Sequence, residues 1–137
     1  MVSENLSIGK SILHDVTLSF NSDEIQEYLE VVGDGSQLHT SHQLVPPTFL
    51  AARALRELIT SLSLPPGSTH IAQDIESLFP SFATEQLTLD AKVDQNTIRG
   101  SWRFLKINFQ IDNLQGNAVL IGNSTVLIPL KPAGGNN

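Results

Sequence analysis

The chain has 137 residues, a formal net charge of -6 and no cysteine. The missing cysteine excludes a disulfide framework, thiolate metal ligands and a cysteine nucleophile, and only eight Lys and Arg residues argue against a nucleic-acid partner. Hydrophobic residues make up 40% of the chain and charged residues 16%, which is typical of a single soluble globular domain.

No apolar run approaches the roughly 20 residues that span a bilayer, and the first ten residues lack the basic start and apolar core of a signal peptide. We therefore expect a cytoplasmic protein with no membrane partner. One domain is predicted over residues 1–130, followed by a flexible tail over 131–137. A domain of this size is only moderately able to bury its own core, so a dimer is expected.

The N-terminal part predicts a strand followed by a short helix. Residues 14–20 alternate apolar and polar side chains over most of their length, as a half-buried strand does. Asn21 is a plausible N-cap with Glu24 three residues later, which predicts a helix over 22–32. Gly33 is expected to end that helix.

A polar loop and a long helix come next. The loop, residues 33–47, has the sequence GDGSQLHTSHQLVPP and contains titratable side chains. Residues 48–62 predict a helix that is buried over most of its circumference, because its polar residues form one narrow stripe. These are Arg53, Arg56, Glu57 and Thr60. Leu64-Pro65-Pro66-Gly67 is expected to end the helix.

The C-terminal half changes to a period of two. Strands are predicted over 70–78, 86–93, 98–111 and 118–130, with turns at 80–81, 94–96 and 113–117. Sequential strands with short turns predict an antiparallel meander. The whole order predicts an α+β hotdog fold, in which a curved antiparallel β-sheet wraps around one long central helix. Such a sheet leaves an edge or a face uncovered, which again favours a dimer.

Three stretches resemble one family. They are Phe20-x4-Ile25 with Tyr28 and then Gly33-Asp34-x4-His39; Val45-Pro46-Pro47-Thr48-Phe49-Leu50-Ala51-Ala52; and residues 116–129, GNAVLIGNSTVLIP. Together they are similar to the MaoC-like hotdog proteins, the (R)-specific enoyl-CoA hydratases and 3-hydroxyacyl dehydratases. The resemblance covers almost the whole chain, although each motif is short.

The resemblance implies hydration of a 2-enoyl thioester, or dehydration of an (R)-3-hydroxyacyl thioester, on coenzyme A or acyl carrier protein. Asp34 and His39 match the positions that hold and activate water in the family, and no cofactor is implied. A carboxylate and an imidazole can share the two proton transfers that the reaction needs, and their titrations would be coupled. In the family, a backbone N–H at the start of the central helix binds the thioester oxygen.

The sequence departs from the family pattern near this site. Ser36 and Gln37 replace an Asn-Pro pair, and the segment between His39 and the central helix is shorter than in the hydratases. Pro47 stands where the family has a glycine whose N–H contacts the thioester, and proline has no N–H. The Thr48 N–H, one residue later, is the predicted replacement. Ala52 also stands where the family often has a serine.

Several side chains have alternative interpretations. Arg99, Arg103 and Lys106 could bind the phosphates of coenzyme A or an acidic carrier, whereas a solvated strand face is the simpler interpretation. His39 and His42 have the spacing of a metal pair but lack a third ligand, so no metal is expected and His42 is interpreted as a solvated loop residue.

Other histidines and acids are also interpreted simply. His14, His70 and Asp74 lie in predicted strands, where exposed or hydrogen-bonded polar side chains are the default. Glu57 could serve an acyl-CoA thioesterase, since other hotdog proteins use a carboxylate on the central helix, but a surface pair with Arg53 is favoured.

Three functions therefore stay open. The first is a dimeric MaoC-like hydratase or dehydratase that uses Asp34 and His39. The second is a non-catalytic hotdog subunit that binds an acyl thioester or completes a heteromer with an active MaoC-like partner. A thioesterase is third and weaker.

Overall fold

The computed structural model describes residues 6–20, 23–24, 27, 44–83 and 85–130. Within these ranges, a central helix packs against one face of a five-stranded antiparallel sheet. In chain order the elements are β1 (Ser11–Leu18), the central helix (Pro47–Leu62), β2 (Thr69–Ser77), β3 (Leu87–Arg99), β4 (Trp102–Asn113) and β5 (Ala118–Pro129). The predicted architecture is confirmed.

The order of strands in the sheet is β1-β3-β4-β5-β2. The strands β3, β4 and β5 form the predicted meander, but β2 pairs with β5 and not with β3. A fully sequential meander was therefore the wrong prediction for β2. Local alternation identifies a strand but not its neighbour, and the helix between β1 and β2 leads the chain to the opposite edge of the sheet. The strands β1 and β2 are consequently the two edges.

The hairpin of β3 and β4 is longer than predicted. A turn was expected at residues 94–96, but β3 continues to Arg99 and the chain turns at Gly100 and Ser101, where Gly100 has φ +60°. The pairing of β3 with β4 shifts register between Val93 and Gln95. Such a bulge adds one residue to one strand and interrupts the alternation, which explains why the sequence suggested a turn there.

The central helix matches its prediction closely. It begins at Pro47 and ends at Leu62, and Ser63 then takes the left-handed conformation with φ 50° and ψ 57°. Its buried residues recur at three- and four-residue spacing and face the sheet. They are Leu50, Ala51, Ala54, Leu58 and Leu62.

The core lies between this helix and the facing side of the sheet, here called the helix side. Every second residue of β4 is buried there, as in Leu105, Ile107 and Ile111, and the residues between them face away from the helix. Burial of each such side chain is worth about 1.5–3 kcal/mol. The strand β2 differs, because all of its residues except the half-buried Gln73 are exposed.

Several predictions fall on residues that the structure does not describe. Of the predicted helix 22–32, only Asp23, Glu24 and Glu27 are described, and all three are helical. The predicted tail over 131–137 lies outside the described residues, so the division into residues 1–130 and a tail stays a prediction. No helix among the described residues is long and apolar enough to cross a membrane.

Candidate active site

The central helix begins with two prolines and has no capping side chain. Pro46 is the N-cap, with no side chain capping the helix, and Pro47 is the first helical residue. The Phe49 and Leu50 N–H groups both donate to the Pro46 carbonyl, at 3.0 and 3.2 Å. The first turn contains no acidic residue. The positive end of the helix dipole is therefore not compensated by a carboxylate of that turn.

The helix start is held against the segment that follows β2. The Val45 N–H donates to the Ser81 carbonyl at 2.9 Å, and Leu44 and Phe82 form an isolated antiparallel bridge. Val45 and Ser81 are both buried, and the Ser81 hydroxyl has no hydrogen-bond partner. The C-terminal end of β2 and the beginning of the helix are thus at the same end of the molecule.

Thr48, the predicted backbone donor, is the second residue of the helix and is exposed. It also takes part in an interaction of its own. Asp34, His39 and His42 lie outside the described residues. The structure places only the last four residues of the predicted loop, Leu44 to Pro47.

The three cations predicted to bind phosphate do not share one face of the sheet. Arg103 pairs with the buried Ile128 and is on the helix side. Lys106 and Arg99 are on the opposite side, where the Arg99 guanidinium lies 5.0 Å from the centre of the Phe104 ring. Arg99 and Arg103 lie toward the end of the sheet that is far from the start of the central helix, and Lys106 lies near the middle of β4.

Arg103 is held in place by a chain of contacts. One of its terminal nitrogens donates to the Asn96 side-chain oxygen at 2.6 Å, and the Asn96 amide donates to the Leu6 carbonyl at 2.7 Å. Its Nε is buried and has no hydrogen-bond partner. The guanidinium is therefore oriented while part of its donor capacity stays unused.

Glu57 is paired as predicted. Its carboxylate lies 3.6 Å from the Nε of Arg53, one helical turn earlier. The Arg53 guanidinium also lies 5.4 Å from the centre of the Phe20 ring, which packs on Phe49 at a centroid distance of 5.3 Å. The favoured interpretation of Glu57 as part of a surface ion pair is confirmed.

Gln73 and Ser124 form a polar contact under the helix that the sequence analysis missed. The Gln73 amide donates to the Ser124 hydroxyl at 3.2 Å and lies 3.5 Å from the Ala51 carbonyl of the helix. Ser124 is fully buried. A serine among otherwise apolar residues at the core-facing positions of β5 was the available signal. The contact ties edge strand β2 to the first half of the helix.

The face of the sheet away from the helix carries a groove of about 850 Å³ that crosses all five strands. On its rim, His14 lies 3.2 Å from the Asp90 carboxylate and 3.4 Å from that of Asp15. Among the described residues these three are the group spaced closely enough to hold a metal ion. Each already pairs with another member, and the group lies on the side of the sheet opposite the helix.

Exposed apolar side chains concentrate along β2 and the segment after it. They include more than half of the large exposed hydrophobic residues among those described, and they lead from the sheet edge to the start of the central helix. They are Ile71, Ile75, Leu78, Phe79 and Phe82. A long exposed edge strand with apolar side chains is a surface that can pair with another chain or be covered by another segment.

Comparison of the sequence with protein-family models gave no match, and no curated protein matches it. Solved structures do match. A MaoC-like dehydratase from Rhodospirillum rubrum has a TM-score of 0.80 at 17% identity, over 96% of this chain and 99% of the other. An (R)-hydratase from A. caviae involved in PHA biosynthesis has a TM-score of 0.77 at 18% identity, over 93% of this chain and 100% of the other.

A heteromeric assembly is also similar to this chain. The ChsH1-ChsH2 complex from Mycobacterium tuberculosis matches with a TM-score of 0.72 at 11% identity, over 89% of this chain and 98% of the other. Identities this low establish the architecture, and the function has to be argued from the site. The chain has the α+β hotdog fold, in the form found in MaoC-like dehydratases and (R)-hydratases.

Proposed function

We propose that the protein is a MaoC-like hydratase or dehydratase that interconverts a 2-enoyl and an (R)-3-hydroxyacyl thioester on coenzyme A or acyl carrier protein. The observation that carries this proposal is the helix start. It is held against the segment after β2 and has no acidic residue in its first turn, and the fold that carries it is that of an (R)-hydratase of similar structure. A site of this polarity suits an oxygen that gathers negative charge.

In the proposed reaction, the oxygen of water bonds to C3 of the enoyl group while one proton of that water passes to the enzyme. C2 receives a proton as the thioester enolate collapses. The pair Asp34 and His39 carries out both transfers, which is the work that adjacent general acids and bases perform with gains of about 10²- to 10⁴-fold. The proposal assigns the two roles to the pair as a unit.

The thioester oxygen needs a donor that Pro47 cannot supply. The first backbone N–H of the helix belongs to Thr48, and the proposal gives it this role. Loss of one such donor costs on the order of 3–4 kcal/mol. Pro47→Ala restores an N–H at the family position. If the Thr48 N–H already donates to the thioester oxygen, Pro47→Ala should change kcat by less than about tenfold. A rise in kcat of about 100-fold or more would show that the wild-type site lacks a donor for this oxygen.

The central experiment is hydration of a short 2-enoyl-CoA, followed by loss of the conjugated enoyl absorbance. Asp34→Asn and His39→Ala are each expected to lower kcat by at least about 100-fold. His42→Ala, three residues further along the same loop, is the matched control and should keep the wild-type rate. A variant that carries both Asp34→Asn and His39→Ala gives the background rate. A wild-type rate no faster than this background would refute the enzymatic proposal.

The proposed assembly is a homodimer that forms along β2. The exposed edge strand and its apolar neighbours support this, because a paired edge would cover them. Light scattering should then give twice the monomer mass. The alternative is a non-catalytic subunit of a heteromer, favoured by Pro47. Recovery of a stoichiometric homologous partner from the native host, together with an inactive isolated chain, would support that alternative.

A thioesterase is the weakest proposal. Glu57 is the helix carboxylate that could serve it, and Arg53 already pairs with it. Thioesterase activity would release free thiol from a saturated acyl-CoA and would be lost in Glu57→Ala. We expect neither result.

A further inference from the structure

We infer that the turn between β3 and β4 docks on the surface of an anionic lipid bilayer. The hairpin tip is defined here as residues 98–103, with the sequence IRGSWR. Three observations carry the inference: the tip exposes a large apolar side chain on each of its two faces, each of these is paired with an arginine, and none of its residues is acidic. The inference goes beyond the proposed function, and neither depends on the other.

The hairpin tip carries exposed apolar side chains on both faces. Every residue from Thr97 to Trp102 is exposed, and the exposed fraction is 56% for Ile98 and 40% for Trp102. Ile98 pairs with Arg103 on the helix side, whereas Trp102 pairs with Arg99 on the opposite side. A protein partner with a flat surface would cover one face and leave the other in water. Apolar side chains on both faces fit a medium that surrounds the tip, as the interface of a bilayer does.

The hairpin tip is positively charged although the chain as a whole is acidic. The net charge is -6, but every acidic residue except Asp112 precedes residue 95. Asp112 is ten residues from Trp102 along β4, or about 33 Å, and Asp94 is five residues before Arg99 along β3, or about 16 Å. Both distances exceed the Debye length of about 8 Å at physiological salt, so these acids do little to cancel the charge of the tip. Arg99 and Arg103 therefore complement a negatively charged bilayer surface.

The hairpin tip is already ordered in the free protein. The Leu130 N–H donates to the Ser101 carbonyl at 2.9 Å, which ties the turn to the end of β5. The Arg99 guanidinium lies 5.0 Å from the centre of the Phe104 ring, on the side of the hairpin that also carries Trp102. Tryptophan is enriched at bilayer interfaces, where its ring contacts apolar groups and its N–H stays hydrated. Docking through this turn therefore costs little conformational entropy.

Docking through the hairpin tip leaves the proposed active site in water. The helix start is at the end of the sheet where Ser77 is level with Ile111, because both pair with Leu120. Ile111 is nine residues from Trp102 along β4, or about 30 Å. The expectation of no membrane partner rests on the absence of spanning and signal segments, and docking by an exposed turn needs neither. Enoyl-CoA hydration should therefore run at the same rate with and without vesicles.

The deciding experiment uses the fluorescence of Trp102, the single tryptophan of the chain. The full-length protein is titrated with vesicles of equal parts phosphatidylglycerol and phosphatidylcholine, and separately with vesicles of phosphatidylcholine alone. The anionic vesicles should shift the emission to shorter wavelength, and lipids brominated near the headgroup should quench it, because the ring enters the interface. Neutral vesicles should bind at least about tenfold more weakly, since each arginine near an anionic surface contributes about fivefold in affinity.

Variants test the charge and the apolar side chains separately, with affinity measured by cosedimentation with the anionic vesicles. Arg99→Ala should lower the affinity about fivefold, and Arg99→Lys, which keeps the charge, should stay within about twofold of wild type. Ile98→Ala should lower it about five- to tenfold. The matched controls are Arg56→Ala and Leu114→Ala, which remove an exposed cation and an exposed apolar side chain elsewhere and should keep the wild-type affinity.

Several outcomes would overturn the inference. They are an unchanged Trp102 emission with anionic vesicles, equal affinity for neutral and anionic vesicles, and wild-type affinity in a variant with both Ile98→Ala and Arg99→Ala. Polyglutamate that causes the same emission shift and displaces the vesicles would show a docking site for acidic protein segments, and the inference would be wrong. An active enzyme that does not bind vesicles rejects only this inference, whereas an inactive protein that binds them rejects only the proposed reaction.

Discussion

Gly122 in β5 offers a sharp test of how the sheet is packed. It pairs with Ile75 on one side and with Phe109 on the other. A Cβ at this position would come into collision with the Asp74 carbonyl and would lie 2.7 Å from Cζ of Phe109 and 3.1 Å from Cγ2 of Ile75. The phenyl ring can shift, but the carbonyl belongs to the backbone of the neighbouring strand.

Gly122→Ala should therefore force β2 away from β5. Overpacking of a core typically costs about 1–3 kcal/mol, and the backbone contact places this case at the upper end, at about 2–3 kcal/mol. For a domain of this size the melting temperature should fall by roughly 6–15 °C. Urea unfolding at fixed protein concentration measures the free energy of unfolding directly. Thr125→Ala, on the same strand but facing away from the helix, is the control and should stay within about 0.5 kcal/mol.

A double variant separates the two collisions. If the Asp74 carbonyl dominates, Phe109→Leu does not rescue Gly122→Ala, and the two costs add or nearly add. If the ring dominates, the double variant is more stable than addition predicts. A Gly122→Ala protein within about 0.5 kcal/mol of wild type would refute the packing argument.

Three further variants test other contacts. Asn113→Ala should lower the free energy of unfolding, measured in urea, by about 1–3 kcal/mol. The reason is that the buried Asn113 side-chain oxygen accepts the Gln115 and Asn117 N–H groups at 3.0 and 2.9 Å. An unchanged free energy of unfolding would contradict this. Ser124→Ala should cost about 0.5–1.5 kcal/mol and leave the Gln73 amide short of an acceptor. Glu57→Gln should change the free energy of unfolding by less than about 0.5 kcal/mol, because the pair of Glu57 with Arg53 is partly solvated. The rate of enoyl-CoA hydration should stay unchanged. A large loss of that rate would instead place Glu57 in the active site.

Much of the fold could be predicted because its signals are local. The narrow polar stripe of the central helix and the prolines at its two ends predicted its limits within one residue. Alternation in β4 predicted which side chains are buried. The same pattern gave a wrong prediction at the bulge after Val93. One added residue interrupts the alternation there, so the sequence predicted a turn at 94–96 where the strand continues.

Local sequence patterns predicted less of the candidate site than of the fold. The resemblance of short motifs pointed to Asp34, His39 and Thr48, and the helix predicted from Thr48 begins one residue earlier, at Pro47. Gln73 and Ser124 were missed, since each is an ordinary polar residue until a distant strand brings the two together. The sequence also placed Arg99, Arg103 and Lys106 along one predicted strand, but Arg99 belongs to β3 and the other two to β4, and the pleat divides the three between two faces.

The sequence by itself determined the kinds of elements, their order and the chemistry available to them, because periodicity, proline and the absence of cysteine act within a few residues. Only the tertiary structure decided that β2 lies at the edge beside β5 and that the helix starts against the segment after β2. Those arrangements depend on contacts between residues far apart in the chain, which no local pattern encodes. They also decide that Arg103 and the helix start of the same copy lie at opposite ends of one sheet.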